Sequence, residues 1–413
     1  MKIGFFTDTY LPQLDGVSTS VETCVRALEE RGHEVNIIAP KYPRYRDKKK
    51  NVVRLTSIKF MKDLEMYVAL QIPDRTLLKV LRMDFDIIHG HSGGPITLLG
   101  WQVARVRNIA YVATYHTLWN RYTHYFFKGK IIKPKMVEIT SRVFGNVCDC
   151  LIAPTERVKK ELISYGIKKP IRTLLSGIDV KRFTHIKKGF LRKKIKLPKK
   201  TKILLYVGRL GKEKSVDFII RSFKIIHEKE SGTALVLVGC GPEQDHLEEL
   251  VKELNITDSV CFLGVIKHSN IPKVYADADI FVFASQTETQ GIVILEAMAS
   301  GLPVVAVKDM ALEEMIINNQ NGFLVRKNPN YFAEKALFLL NDKKLHKNFS
   351  LQAQKNVHNF TADKTAEYLE NLYITLIHEK SLKSGKIHHR CANLHHIKSL
   401  FVKARDQFRN YNE

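Results

Sequence analysis

Short apolar strands alternate with amphipathic helices along most of this 413-residue chain. The strands are apolar throughout, which is typical of parallel strands that helices cover on both faces. Predicted strands lie at 2–7, 34–39, 86–89, 111–115 and 150–154, and the pattern starts again at 202–207, 235–238, 260–263, 280–284 and 304–307. The sequence therefore predicts an α/β protein with two parallel, doubly wound sheets.

A lysine-rich stretch at 187–200 separates the two halves and is interpreted as a linker. Ligands of doubly wound sheets bind outside the carboxyl ends of the strands, so a cleft between the two sheets is the expected binding region. The chain beyond residue 330 is helical, most clearly at 331–340 and 362–378, and it becomes basic and His-rich after residue 381.

The formal net charge of +24 requires a polyanionic partner, which is nucleic acid, anionic lipid or a phosphate-bearing substrate. No apolar run reaches the roughly 18 residues that a membrane helix needs, and the first seven residues are too short for a signal peptide. A cytoplasmic protein is expected. The six cysteines contain no C-x-x-C pair, so neither a disulfide framework nor a zinc ribbon is indicated. The His-rich tail is interpreted as a basic tail rather than a metal site.

Two glutamates, Glu288 and Glu296, stand with seven residues between them around a Gln-Gly turn. A strand is predicted before this turn and a helix from Ile292, which places Glu288 on the connecting loop and Glu296 about one turn into the helix. The N–H groups at such a helix start suit a phosphate, and they belong to Gln290, Gly291, Ile292 and Val293. A carboxylate further in can accept from two adjacent hydroxyls, as a ribose offers. The alternative is a solvated helix start, which favours acidic residues anyway.

Two cations, Arg209 and Lys214, follow the predicted strand 202–207. A guanidinium binds two phosphate oxygens at once and a lysine adds a compact charge, although an ordinary surface loop would also carry such residues. Four further positions at strand ends or helix starts are weaker candidates for ligand contact: Gly16, His116, Gly241 and Val265.

The combined motifs resemble family 4 of the glycosyltransferases over residues 1–378. They are TDTYLPQLDGV at 7–17, YHT at 115–117, GRLGKEKS at 208–215, VGCGP at 238–242 and TETQGIVILEAMASGLPVV at 287–305. The segment 115–125 narrows the resemblance to the bacterial 1,2-diacylglycerol 3-α-glucosyltransferases. Two positions depart from the broad family: Cys240 stands where an acidic residue is usual, and 308–314 lacks the usual Gly-Gly turn.

The resemblance implies the GT-B fold, with an acceptor-side domain at 1–185, a basic linker at 186–200 and a nucleotide-sugar-binding domain at 201–360. A helix at 361–380 would cross back to the first domain, and a basic tail would follow at 381–413. The implied reaction is retaining transfer of glucose from UDP-glucose to diacylglycerol by an enzyme bound peripherally to the cytoplasmic face of an anionic membrane. No tightly bound cofactor and no divalent metal is implied, so Asp277-Ala278-Asp279 is interpreted as structural.

The resemblance also assigns roles to the candidate residues. The expected catalytic set is His116, Glu288, Arg209 and Lys214. The expected donor-binding set is Gly16, Arg209, Lys214, Gly241, Val265, Glu288, Thr289, Gln290, Gly291, Ile292, Val293 and Glu296. Within these sets Glu296 would hold the ribose, Glu288 would lie beside the donor sugar, and His116 would contact the primary hydroxyl of that sugar.

Two stretches are candidates for the membrane surface. The segment 122–135 interleaves aromatic residues and isoleucines with lysines, which favours a lipid acceptor. The helix at 74–85 carries Leu77, Leu78, Leu81 and Phe85 on one side and three basic residues on another, although it could instead pack its leucines on the sheet. Other hexosyl transfers, to phosphatidylinositol, a lipid-linked saccharide or a polysaccharide, stay open. A UDP-sugar 2-epimerase would share the architecture, and a nucleic-acid-binding protein would share the charge without explaining the glutamate pair.

Overall fold

The structure is a computed structural model, and it describes residues 1–13, 15–61, 66–118, 120 and 134–384. The chain forms two compact units. The first contains Met1–Pro154, Lys159–Leu175 and the described residues from Asp363 to Ser384, and the second contains Thr155–Val158 and Ser176–Ala362. The domain boundaries given by the sequence stay predictions.

The first unit is built on a seven-stranded sheet. Its strands are β1 (Lys2–Thr7), β2 (Glu34–Pro40), β3 (Val52–Leu55), β6 (Ile87–His91), β7 (Ala110–Thr114), β8 (Cys150–Ala153) and β9 (Ile171–Thr173). They are all parallel and lie in the order β3-β2-β1-β6-β7-β8-β9. A separate antiparallel hairpin pairs β4 (Ser57–Met61) with β5 (Met66–Ala69).

Helices cover this sheet as the apolar strands require. They are α1 (Gly16–Glu30), α2 (Arg75–Arg82), α3 (Pro95–Arg107), α4 (Pro134–Val147), α5 (Glu156–Ser164), whose residues up to Val158 belong to the second unit, and α14 (Ala362–Ser384). The predicted first helix is confirmed, and its Val21, Val25 and Leu28 are fully buried along one face. No helix in the described part of the chain is both long enough and apolar enough to span a membrane.

The prediction that the apolar residues of the 74–85 helix share one face is wrong. Leu77 and Phe85 are buried, whereas Leu78 and Leu81 are 46% and 42% exposed. The spacing explains the split, because Leu77 and Val80 share the inward face at a separation of three residues. The outward face of α2 therefore combines two leucines with basic residues.

The second unit repeats the plan with a six-stranded, all-parallel sheet. Its strands are β10 (Lys202–Val207), β11 (Thr233–Val238), β12 (Val260–Phe262), β13 (Ile280–Phe283), β14 (Val304–Val307) and β15 (Gly322–Val325), in the order β12-β11-β10-β13-β14-β15. Its helices are α6 (Phe190–Lys194), α7 (Val216–Lys229), α8 (Gln244–Glu253), α9 (Ile271–Asp277), α10 (Ile292–Ala299), α11 (Met310–Glu313), α12 (Pro329–Asn341) and α13 (Lys343–Val357). Two sheets of Rossmann type confirm the predicted fold class.

The strand order reverses once in each sheet. In the first unit β1 lies between β2 and β6, and in the second β10 lies between β11 and β13. Connections on the two sides of a reversal leave toward opposite faces, which opens a crevice at the carboxyl ends of the two central strands. Gly16 follows β1, Arg209 and Lys214 follow β10, and Glu288 follows β13.

The stretch predicted as a basic linker contains α6, which Asp277 holds in the second unit. The buried Asp277 carboxylate accepts from the N–H groups of Gly189 at 2.5 Å and Leu191 at 2.6 Å, and Asp279 accepts from Ile203 N–H at 2.7 Å. The structural interpretation of these two aspartates is confirmed. Among the described residues, no group of three His, Cys, Asp or Glu side chains is arranged to hold a metal ion.

The last described helix, α14, belongs to the first unit although it follows the second in sequence. Three contacts along its length hold it there. Glu370 accepts from the Arg31 guanidinium at 2.7 Å, the Tyr373 hydroxyl lies 2.6 Å from His89 Nδ1, and Lys380 pairs with Asp149 at 3.1 Å.

Replacing Asp277 by asparagine should destabilise the second unit. The amide keeps one acceptor but turns a donor toward the other backbone N–H, so we expect a loss of about 1.5 to 3 kcal/mol in the free energy of unfolding, the usual range for hydrogen bonds to charged groups. Urea unfolding followed by fluorescence measures this loss. Asp258→Asn, at an exposed position, is the control. Equal unfolding midpoints for the two variants would contradict the capping role.

Candidate active site

Two ion pairs lie at the carboxyl ends of β10 and β13. Lys214, after β10, contacts Glu288, after β13, with 2.5 Å between Nζ and Oε1. Arg209 Nη2 lies 2.6 Å from Oε1 of Glu213, whose side chain is only 4% exposed. Because Lys214 and Glu288 are 16% and 12% exposed, water screens their attraction less than at an open surface. Three members of the expected catalytic set thus lie together in the second unit.

The start of α10 is where the sequence predicted it. Gly291 precedes the helix with φ of 83°, a left-handed conformation that favours glycine, and Ile292 is the first helical residue. The N–H groups of Ile292 and Val293 stand in the first turn, where a helix offers them no carbonyl partner. Thr289 lies just before this turn, and its carbonyl oxygen accepts from the Thr155 hydroxyl at 2.9 Å.

Glu296 is buried within α10 and is held by a tyrosine. The hydroxyl of Tyr275, which is fully buried in α9, donates to Glu296 Oε2 at 2.9 Å. Burial raises the pKa of Glu296 to about 7, and this rise is opposed by the Tyr275 hydrogen bond and by the positive charge of Arg182. This carboxyl group therefore changes its charge near neutral pH.

Two of the weaker candidates lie on neighbouring loops of the second unit. A Cβ at Gly241 would stand 2.3 Å from the carbonyl oxygen of Leu210, so the backbone of this turn packs directly against the loop after β10. Val265 follows β12 and is 66% exposed. This close packing explains why residue 241 is a glycine, and no ligand contact is needed to explain it.

The first unit carries the remaining two candidates. Gly16 is the first residue of α1, and the Asp15 carboxylate caps that helix by accepting from Ser18 N–H at 2.7 Å. His116 follows β7, and its Nε2 lies 3.0 Å from Nδ1 of His91, the last residue of β6. Burial lowers the pKa of His116 to about 4 and that of His91 well below its usual value. Both rings are neutral at pH 7 and suit hydroxyl groups better than phosphates.

Several residues of these two sites were not predicted from the sequence. His91 is the last residue of its strand, and His116 likewise lies at the end of a strand. The His-Gly-His run at 89–91 was therefore a signal in the sequence. Asp8 offered none, yet its carboxylate accepts from the N–H groups of Gly94 and Ile96 at 2.8 Å each and fixes the start of α3. Tyr275 also gave no signal. The segment predicted at 122–135 lies, except for its last two residues, outside the described residues.

Comparison with known proteins agrees with the two-sheet architecture. Residues 14–182 match the model of Glycosyltransferase Family 4, and residues 187–356 match that of Glycosyl transferases group 1. The chain is similar to α-monoglucosyldiacylglycerol synthase from Streptococcus pneumoniae, with 35% identity over 78% of this chain and 75% of that protein. It is also similar to α-monoglucosyldiacylglycerol synthase from Acholeplasma laidlawii, with 27% identity over 94% of this chain and all of that protein.

A solved structure shows the same fold. Anabaena HepE, in complex with UDP and glucose, superposes with a TM-score of 0.71 and 19% identity over 91% of this chain and all of HepE. The two family models cover both units, and the first relative is similar over most of its own length. The chain therefore belongs to the family 4 glycosyltransferases of GT-B fold and is a hexosyltransferase dependent on a nucleotide sugar.

Proposed function

We propose that this enzyme moves glucose from UDP-glucose to diacylglycerol with retention of configuration, at the surface of an anionic membrane. The observation that carries the proposal is the cluster of Arg209, Lys214 and Glu288 at the strand-order reversal of the second sheet. Its cations suit a diphosphate, and the buried carboxylate of Glu296 further along α10 suits a ribose.

The paired charges support a donor that carries phosphate. A diphosphate reaching Lys214 and Arg209 replaces their carboxylate partners, Glu288 and Glu213, with a dianion. Both cations then stabilise the charge that develops on the leaving UDP, and the first N–H groups of α10 add to the same cradle. Glu288, released from Lys214, lies beside the donor sugar. HepE, which shares the fold, was solved in complex with UDP and glucose, which supports a UDP-sugar donor.

The two similar glycolipid synthases support diacylglycerol as the acceptor. In our proposal the leaving phosphate takes the proton of the acceptor hydroxyl on the same face of the sugar, so no separate general base is required. His116, neutral at pH 7, contacts the primary hydroxyl of the sugar. Transfer of another hexose, or transfer to another lipid or saccharide acceptor, is the alternative within the same family.

The exposed faces of two helices in the first unit support membrane contact. On α4 an apolar row at helical spacing is 37% to 60% exposed, and it consists of Met136, Ile139, Val143 and Val147. The segment 122–133, with its aromatic residues and lysines, precedes this helix in sequence. On α2 the exposed Leu78 and Leu81 lie among basic residues. Apolar side chains with flanking cations are typical of surfaces that bind anionic lipid.

The wild-type enzyme should release UDP from UDP-glucose only when diacylglycerol in anionic vesicles is supplied, and NMR of the product should show an α linkage.

Arg209→Ala and Lys214→Ala should each lower the rate of UDP release about a hundredfold, because one preorganised charge contact is typically worth a few kcal/mol. Lys224→Ala, which removes a cation from a surface ion pair on α7, is the matched control. A β-linked product would exclude retention, and normal turnover in both loop variants would place the donor phosphates elsewhere.

UDP affinity should rise with pH through about pH 7, because the raised pKa of Glu296 leaves the carboxylate fully ionised only above that pH. Below it the affinity should fall toward tenfold per pH unit, since protonation removes an acceptor for the ribose. Calorimetric titrations at several pH values measure this slope. Glu296→Gln has no titratable carboxyl group at this position. The pH dependence of its UDP affinity therefore reports the ionisation of UDP itself and serves as the control. Tyr275→Phe should move the wild-type midpoint to higher pH, and an unmoved midpoint would contradict the role of the tyrosine hydrogen bond.

The enzyme should sediment with phosphatidylglycerol vesicles and much less with phosphatidylcholine vesicles. Replacing Ile139 and Val143 together by glutamine should reduce sedimentation about tenfold or more, because burying each apolar side chain is worth about 1.5 to 3 kcal/mol when complete. Ile163→Gln removes an isoleucine of α5 that is 53% exposed, and it serves as the control. If the double variant and the control bound vesicles equally, α4 would not be part of the membrane surface.

A further inference from the structure

The side chain of Gln290 makes a contact that the proposed function does not use. Gln290 is 4% exposed, its Oε1 accepts from Ser176 N–H at 2.8 Å, and its Nε2 donates to the Ser176 carbonyl oxygen at 2.8 Å. One carboxamide thus satisfies both backbone polar groups of a single residue. No other orientation of the amide makes both bonds, since one end only accepts and the other only donates.

Ser176 occupies a special place along the chain. It is the residue at which the chain enters the second unit after Leu175. Two residues later Ile178 is bound to the point where the chain leaves that unit: Ile178 N–H donates to the Phe360 carbonyl, and Ala362 N–H donates to the Ile178 carbonyl, at 2.9 Å each. Gln290 therefore holds the entry segment, which in turn holds the exit segment.

The loop before α10 also binds the other short segment of the second unit, Thr155–Val158. The hydroxyl of the fully buried Thr155 donates to the Thr289 carbonyl. Arg157 Nη2 donates to the Gln286 carbonyl at 3.1 Å, and the same guanidinium is paired with Asp309. The donor loop, defined here as residues 286–291, is thus bonded to both segments through which the chain first enters this unit.

The anchor at Gln290 lies next to the atoms proposed to bind phosphate. Gly291 follows in a left-handed conformation, and α10 begins at Ile292. With the side chain of Gln290 fixed at Ser176, one glycine separates a clamped residue from the first N–H groups of the helix. The clamp holds the residue before Gly291, and binding that depends on the direction of those N–H groups weakens when the contact that positions their loop is removed.

We propose that Gln290 is a positioning residue whose carboxamide locks the donor loop to Ser176 and couples nucleotide binding to the order of that segment. The proposal rests on the proposed function, because it needs a nucleotide diphosphate at the donor loop. Coupling between two sites is reciprocal, so the clamp that favours nucleotide binding is itself strengthened when the nucleotide is bound.

The test compares Gln290→Met, which nearly preserves volume but removes both hydrogen bonds, with the wild-type chain. UDP affinity, measured by calorimetry, should fall about tenfold, within the usual range of coupling between sites. Hydrogen exchange in peptides spanning 174–178 should be slowed by UDP in the wild type and unaffected by UDP in the variant. Gln320→Met makes the same substitution at an exposed turn of the same unit and should retain both responses.

A purely structural role would lower stability but leave the UDP-dependent protection of Ser176 in place, and that result would overturn the proposal. Gln290→Glu loses the donor and turns a carboxylate oxygen toward the Ser176 carbonyl oxygen, so its UDP affinity should fall at least as far as that of Gln290→Met. It keeps the test decisive if the methionine variant does not fold. A wild type that binds neither UDP nor another nucleoside diphosphate would overturn the proposed function as well. A wild type that binds UDP, with Gln290→Met behaving as Gln320→Met does, would overturn the coupling alone.

Discussion

The parallel pairing of β10 with β13 is the constraint on which the candidate active site depends. Leu204 pairs with Ile280 and Leu205 with Phe281, although the two strands are far apart in sequence. Neighbouring strands lie about 4.8 Å apart, so the loops that follow them start side by side. The order of strands reverses at this pair, and the segments that follow β10 and β13 leave toward opposite faces of the sheet. Lys214 and Glu288, 74 positions apart, meet for this reason.

Each charge in this crevice is compensated by a nearby group. Lys214 is paired with Glu288 and Arg209 with Glu213. Neither cation is therefore removed from water without an opposite charge beside it. Glu296 accepts a hydrogen bond from a neutral hydroxyl, that of Tyr275. A neutral donor compensates a buried carboxylate less than a cation does, which is why burial dominates and the pKa of Glu296 rises.

The carboxyl edge of the first sheet has a different chemistry. Strand β6 carries His89 and His91, His116 follows β7, and burial lowers the pKa values of all three. Stacking fixes these rings, with 4.1 Å between the centroids of His89 and His91, and Tyr373 of α14 binds the innermost ring. One edge thus offers neutral hydrogen-bonding groups suited to hydroxyls, and the edge of the second sheet offers charges suited to phosphate.

The sequence by itself determined the fold class, most strand positions, the start of α10 and the family. These follow from local patterns: continuous apolar strands, helical spacing and the motifs around Glu288 and Arg209. It also placed the cations and acids of the second unit after the right strands. Short elements such as β3, β9 and β15 carry too little pattern to stand out.

Only the tertiary structure decided which groups meet and how deeply each is buried. It paired Lys214 with Glu288, turned the side chain of Gln290 to Ser176, and divided the leucines of α2 between core and surface. Such contacts join residues far apart in the chain, and a pKa like that of Glu296 depends on the exclusion of water by all surrounding elements. A linear pattern states which chemical groups are present, whereas distance and burial exist only once the sheets have formed.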